Sequence, residues 1–257
     1  MMIVPALLYG QSSLQGTWHT NMDQAKLSQK PYVFSVHDGM YDCTSCAPQI
    51  TNVKTDGTDQ PVTGQTFDTL NVHVDGPDSV TFVAKKDGKT MFTQTRTISS
   101  DGKTLSLKST SYPKNSTTEV QTTVTFSRAS NANPGAHQAS GSWTINRISE
   151  NEAGLTTTYK MAGDELTMMQ PTGESFTAKL DGKDYPFKGS YSFDTVSLKR
   201  IDDRTVEETN KRGGKVISVH TITVAPDGKT LTEVVNNKLL DRTSTFVSEK
   251  QDFEAAK

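Results

Sequence analysis

Apolar residues in this chain recur at every second position in short runs. Tyr32, Phe34 and Val36 alternate with Val33 and Ser35, and Leu70, Val72 and Val74 alternate with Asn71 and His73. Val80, Phe82 and Ala84 form a further inward face, and Val124 with Phe126 another. A period of two is that of a β-strand with one buried face. Asp38-Gly39, Asp87-Gly88 and Asp101-Gly102 punctuate the runs, and Asp-Gly is a preferred pair for two-residue hairpins. The pattern predicts eight or nine short strands before residue 130, at the even spacing of an all-β barrel or sandwich.

The pattern is then written again. Asp56–Gly64 (DGTDQPVTG) recurs as Asp181–Gly189 (DGKDYPFKG), and Gly16-Thr17-Trp18 recurs as Gly141-Ser142-Trp143, both 125 residues on. Asp101–Leu105 (DGKTL) recurs as Asp227–Leu231, with one inserted residue. The chain is two copies of one β-rich module of about 115 residues, large enough to bury a core without obligatory disulfides or metals. The expected organisation is a possible partial signal segment at 1–14, a first barrel at 15–130, a small polar linker at 131–139 (NANPGAHQA), a second barrel at 140–251 and a tail at 252–257.

Charge changes this picture little. The formal net charge is -2, with 11 basic and 11 acidic residues through position 130 and 16 and 18 after it. Neither half offers a basic nucleic-acid surface. The opening MMIVPALLYG is apolar and too short to span a bilayer. It matches the apolar region and cleavage side of a signal peptide without its positive start, so a periplasmic or extracellular location is expected.

Few residues suggest chemistry. Cys43-x-x-Cys46 occurs only in the first copy. It follows a strand and is read as a disulfide-closed turn in an oxidising compartment; a zinc site or a redox dithiol are the alternatives, lacking respectively further ligands and a helix N-terminus. The Asp-Gly pairs lack the ligand spacing of a calcium hand and are read as turns. The five histidines form no recognisable catalytic pattern. Asp202-Asp203 and Glu207-Glu208 are neighbours along the chain, which places their side chains on opposite strand faces, so they are read as solvated edges.

A Gly-x-Trp opening a module of this length resembles the lipocalin and fatty-acid-binding (calycin) superfamily. That resemblance implies two tandem antiparallel up-and-down β-barrels, each closed at its base by a Trp beneath an Arg of the last strand. It pairs Trp18 with Arg128 and Trp143 with Arg242. The stretch from DGKDYP to DGKTLT also resembles exported bacterial proteins with lipocalin-like repeats. The segment after Trp18 is too short for a fatty-acid-binding helical lid, and an Arg-x-Tyr ending is absent.

The function expected from this reading is an exported, non-enzymatic binding protein for a small apolar or amphipathic ligand. Tyr32, Phe34, Met40 and Tyr41 form the expected entrance, because aromatic and Met side chains on one rim adapt to apolar molecules. No cofactor, metal, nucleic acid or transmembrane segment is expected. The rival readings are an interaction module with side-chain-filled barrels and, behind it, an enzyme or a thiol or metal protein using Cys43 and Cys46.

Overall fold

The computed structural model describes residues 14–131 and 134–251; the possible signal segment at 1–13 and the tail at 252–257 lie outside the described residues. Among the described residues, twenty strands make up most of the structure. They are β1 (Gly16–Thr20), β2 (Tyr32–His37), β3 (Met40–Cys43), β4 (Ile50–Lys54), β5 (Asp56–Pro61), β6 (Thr69–Val74), β7 (Ser79–Lys86), β8 (Lys89–Ile98), β9 (Thr104–Ser111) and β10 (Val120–Asn131). The second series is β11 (Gly141–Glu150), β12 (Thr156–Ala162), β13 (Glu165–Met169), β14 (Ser175–Lys179), β15 (Asp181–Lys188), β16 (Thr195–Arg200), β17 (Thr205–Arg212), β18 (Lys215–Val224), β19 (Thr230–Asn237) and β20 (Arg242–Lys250).

All ladders are antiparallel, and the strands form two barrels of ten. The predicted alternation holds in detail. Val72, Val80 and Ala84 are fully buried, Phe82 is 2% exposed, and Val124 and Phe126 are buried beside them. Asp38-Gly39 and Asp87-Gly88 make hairpins with positive φ at both residues, the geometry that suits the right-handed twist of paired strands. Asp56-Gly57 and Asp181-Gly182 do something else. They sit inside β5 and β15, where the register shifts by an extra residue, and Gly57 and Gly182 adopt φ of 79° and 77°. These pairs are bulges rather than the hairpin turns read from sequence. The Asp side chain accepts the backbone N–H two residues on, which stabilises the kink.

The barrels and the sequence repeats have different boundaries. The first barrel runs β2 to β11 without interruption, so it takes the opening strand of the second repeat. The second barrel runs β12 to β20 and is closed by β1, the opening strand of the first repeat, lying between β12 and β20. Residues 131–139, expected to join barrel to barrel, instead join β10 to β11 within the first barrel. His137 binds Val36 through its backbone N–H, and the Ser140 hydroxyl bridges both backbone groups of Val36, so this segment is tied to the first barrel. The chain crosses between barrels at residues 21–31 and 151–155.

The first barrel stays open between β4 and β5. In the second, β14 pairs with β15 through Phe176 and Phe187 and completes the ring. The equivalent region of the first barrel holds the Cys43–Cys46 disulfide and Pro48, whose ring packs against Gly64. Pro48 has no N–H to give a ladder.

Candidate functional site

The interior of the first barrel contains a cavity of about 410 Å3. Its walls follow from strand alternation: Tyr32 and Phe34 from β2, Gln94 and Arg96 from β8, Leu105, Leu107 and Ser109 from β9, Val124 and Phe126 from β10. On β11 the alternation is broken. Thr125 faces Arg147 but Phe126 faces Ile145, so Asn146 is the extra residue of a bulge. The bulge turns Ile148 into the cavity and leaves Arg147 outside, where it meets Asp23 at 2.8 Å.

Among the described residues, Arg96 is the one charged side chain lining this cavity. Its guanidinium carbon lies 4.3 Å from the Phe34 ring centre and 4.2 Å from that of Phe82, a cation held between two aromatic faces. Nε donates to the Gln94 side-chain oxygen at 2.9 Å, and one terminal nitrogen donates to the Tyr41 hydroxyl at 3.4 Å. Among the described residues no carboxylate pairs with it. The guanidinium thus sits in a largely apolar chamber with neutral hydrogen-bond partners.

The base is closed by Trp143, fully buried, whose indole N–H binds the Ala139 carbonyl. Arg128 lies 4.1 Å above its ring and is fixed by the carbonyls of Gly102, Gln138 and Ser140. The equivalent partner of Trp18 in the second barrel is Lys250, at 5.2 Å. The pairings Trp18–Arg128 and Trp143–Arg242 are therefore not formed, because each Trp strand is seated in the opposite barrel. Arg242 stacks on Tyr32 at 3.8 Å and donates to the carbonyls of Lys30 and Pro31, clamping the first barrel's β2 onto the second barrel's last strand.

Of the residues expected at the entrance, Tyr32 and Phe34 line the cavity. Tyr41 is buried behind it, edge-on to Phe82 at 5.1 Å, and its hydroxyl accepts from Arg96. Met40 lies one position from Tyr41 on β3 and so points to the opposite face. Cys43 and Cys46 are joined as a disulfide that forms part of the wall, so neither is a free thiol. Arg96 was missed by sequence reasoning; the signal available was a basic residue two positions from Ile98 on the inward face of β8.

The second lumen carries different chemistry at equivalent positions, 125 or 126 residues on. Phe34, Phe82, Gln94, Arg96 and Leu107 are replaced by Tyr159, Glu208, His220, Ile222 and Glu233, and the cross-strand pairs match in both barrels. His220 Nδ1 meets Glu233 at 2.7 Å, His220 Nε2 meets the Ser218 hydroxyl at 2.8 Å, and Asn210 donates to Glu208 at 2.7 Å. Glu208 is 5% exposed, which corrects its reading as a solvated edge. Burial pushes its carboxyl up, against the pull of His220 and the Asn210 hydrogen bond. Burial pushes the His220 imidazole down, but the Glu233 hydrogen bond and the Glu208 and Glu233 charges together leave it above the ordinary histidine value. Tyr159 is held well above its usual range by burial and then by the same two carboxylates. The Ser218–His220–Glu233 chain has the order of a hydrolytic triad, yet Ser218 is 3% exposed, so its hydroxyl is a buried partner of His220 along β18.

A larger surface groove of about 490 Å3 runs outside the first barrel, between the β2–β3 hairpin and the β10–β11 loop. Its ionisable side chains are His37 and Asp38, and His37 is engaged by Asp42 at 3.0 Å. The apolar lumen with Arg96 is the stronger site. No protein-family model, curated protein or solved structure matches this chain.

Proposed function

We propose that the chain is a non-enzymatic binding protein whose first barrel holds one small amphipathic molecule, with an anionic group at Arg96 and an apolar body along Tyr32, Phe34, Leu107 and Phe126. The observation that carries this reading is the cavity of about 410 Å3 with an aromatic-flanked guanidinium lacking a carboxylate partner. That volume falls within the range of small-molecule sites, and apolar walls with a single charged anchor are their usual composition. Export is part of the proposal. It is supported by the Cys43–Cys46 disulfide, a bond that persists in oxidising compartments. No helix among the described residues is long and apolar enough to cross a membrane.

A second reading, an interaction module, is favoured by one observation: the other lumen is occupied by the hydrogen-bonded Glu208, Asn210, Ser218, His220 and Glu233 side chains. The two are separated by titrating protein purified without detergent with a fatty acid, the fatty alcohol of equal chain length and an apolar fluorophore. Saturable binding of the acid is expected, and Arg96→Leu should weaken it roughly ten- to a hundredfold while changing the alcohol little, as fits a charge-assisted hydrogen bond. Absence of saturable binding for all three would leave the interaction reading in place.

A further inference from the structure

We infer that the β1 seat of the second barrel is an interaction surface for a second copy of this chain, filled by that copy's own Gly-x-Trp strand. This goes beyond the binding reading and does not depend on it. The inference begins with the register. Gly16, Thr17 and Trp18 face Tyr159, Thr158 and Thr157; Gly141, Ser142 and Trp143 face Phe34, Val33 and Tyr32. Each set is the other displaced by 125 residues. The anchoring chemistry also repeats: each indole N–H binds a carbonyl four residues earlier, of Leu14 or Ala139, and each ring lies under a cation from the last strand. A Gly-x-Trp strand is therefore a portable part, and the barrel recognises it without regard to which repeat supplied it.

The two seats differ in how firmly the strand is attached to its barrel. β11 extends from Gly141 to Glu150 and pairs with β10 along most of that length, with only a loop between them, so it closes the first barrel as a sequence neighbour. β1 spans Gly16–Thr20, and the strand that follows it in sequence, β2, belongs to the other barrel. Residues 21–31 connect it to β2 across the molecule. They hold a single short 3-10 turn, Met22–Gln24, with no buried residue, and run beside β20: the Asn21 N–H donates to the Val247 carbonyl, Lys26 bridges Thr245, the Ser28 N–H donates to the Ser244 hydroxyl, and Arg242 donates to the carbonyls of Lys30 and Pro31. The grip on the second barrel thus lies in Leu14, the β1 ladders, Trp18 and the contacts of residues 21–28 with β20, and all of these are open to the strand of either copy. Exchange between two copies conserves every strand pair and releases only the crossing to β2, with the Arg242 contacts to Lys30, Pro31 and Tyr32, so the strand swap costs few contacts. The 21–31 tether sets the balance. A short link gives an effective concentration on the order of millimolar, so a single chain closes on itself when dilute and reciprocal dimers gain as protein concentration approaches that value.

The test uses the full chain carrying single cysteines at positions that face each other. The Thr17 and Thr158 hydroxyls are 2.9 Å apart across β1 and β12. One variant carries Thr17→Cys and the other Thr158→Cys; they are denatured together, refolded at increasing total concentration and oxidised. A Thr17→Cys chain disulfide-linked to a Thr158→Cys chain is expected, at a fraction that rises with concentration, while Thr17→Cys with the exposed Lys183→Cys gives none. Removing residues 22–25 should move the monomer–dimer balance to dimer at concentrations where the intact chain is monomeric. The Thr17→Cys/Thr158→Cys double variant reports folding, since it closes within one chain. If that double variant closes and no cross-chain disulfide forms up to about millimolar protein, the inference is overturned. Equal linkage of Thr17→Cys to Lys183→Cys overturns it too.

Discussion

A handful of substitutions at matching positions give the two barrels opposite interiors. Arg96 faces Leu107 across β8 and β9, whereas at the same place in the second barrel Ile222 faces Glu233. The first lumen has a cation without a carboxylate, and the second has two carboxylates around an imidazole. The second arrangement makes stability depend on pH. His220 in the folded barrel holds its proton more tightly than at its ordinary value of 6.5, so its contribution is complete below that value and is lost as pH rises through the folded one. Glu208 is raised as well and acts in the same direction, from its ordinary value of 4.5 upward. The second barrel should therefore resist urea better at pH 6 than at pH 8, and His220→Gln should remove most of the difference. Each barrel holds one tryptophan, so Trp18 fluorescence in a Trp143→Phe background follows the second barrel alone. An unchanged pH dependence in His220→Gln would rule the imidazole out.

At the scale of elements, glycines and the disulfide decide how strands bend and end. Gly189 at φ 81° passes so close to Gly173 that an added Cβ would lie 2.3 Å from its carbonyl oxygen. Gly182 at φ 77° has open space around it. Gly189→Ala should destabilise the second barrel well beyond the roughly 1–3 kcal/mol of left-handed strain that is the whole cost at Gly182→Ala, as read from thermal or urea midpoints. In the first barrel, Cys43 and Cys46 close a very short loop. Replacing both by Ser should cost about 2 kcal/mol on chain-entropy grounds. The loss should appear in the Trp143 signal and leave the Trp18 signal unmoved. Equal shifts in both signals would mean that the barrels unfold as one unit.

At the scale of the molecule, the barrel boundary predicts which pieces fold. Residues 32–150 contain the ten strands of the first barrel in one continuous run and should unfold cooperatively on their own, with β-type circular dichroism. Residues 156–251 lack β1, leaving β12 and β20 as unpaired edges and the Trp18 site empty, and should be unstable or aggregate. Cutting instead at the repeat boundary, 15–130 and 140–251, gives pieces that each own a Gly-x-Trp strand; a folded 140–251 would show Gly141–Trp143 occupying the β1 seat. Analytical ultracentrifugation with circular dichroism distinguishes these outcomes.

Alternation of apolar residues and hairpin signals determined the β-strands, their inward faces and the twofold plan, because burial on one face of a strand is a local, periodic property. Tyr32 and Phe34 were legible as cavity residues for the same reason. Glu208 and Arg96 were not. Their alternation marks them as inward, but whether an inward charge is buried with a partner or faces a chamber depends on what other strands bring opposite it. Met40 and Tyr41 were indistinguishable until the β2–β3 register set which of them turns in. The strand exchange lies furthest from the sequence. Both repeats open on a Gly-x-Trp strand with the same register to its partner, so local pattern is silent on their destination, and the crossing connectors at 21–31 and 151–155 decide it in three dimensions.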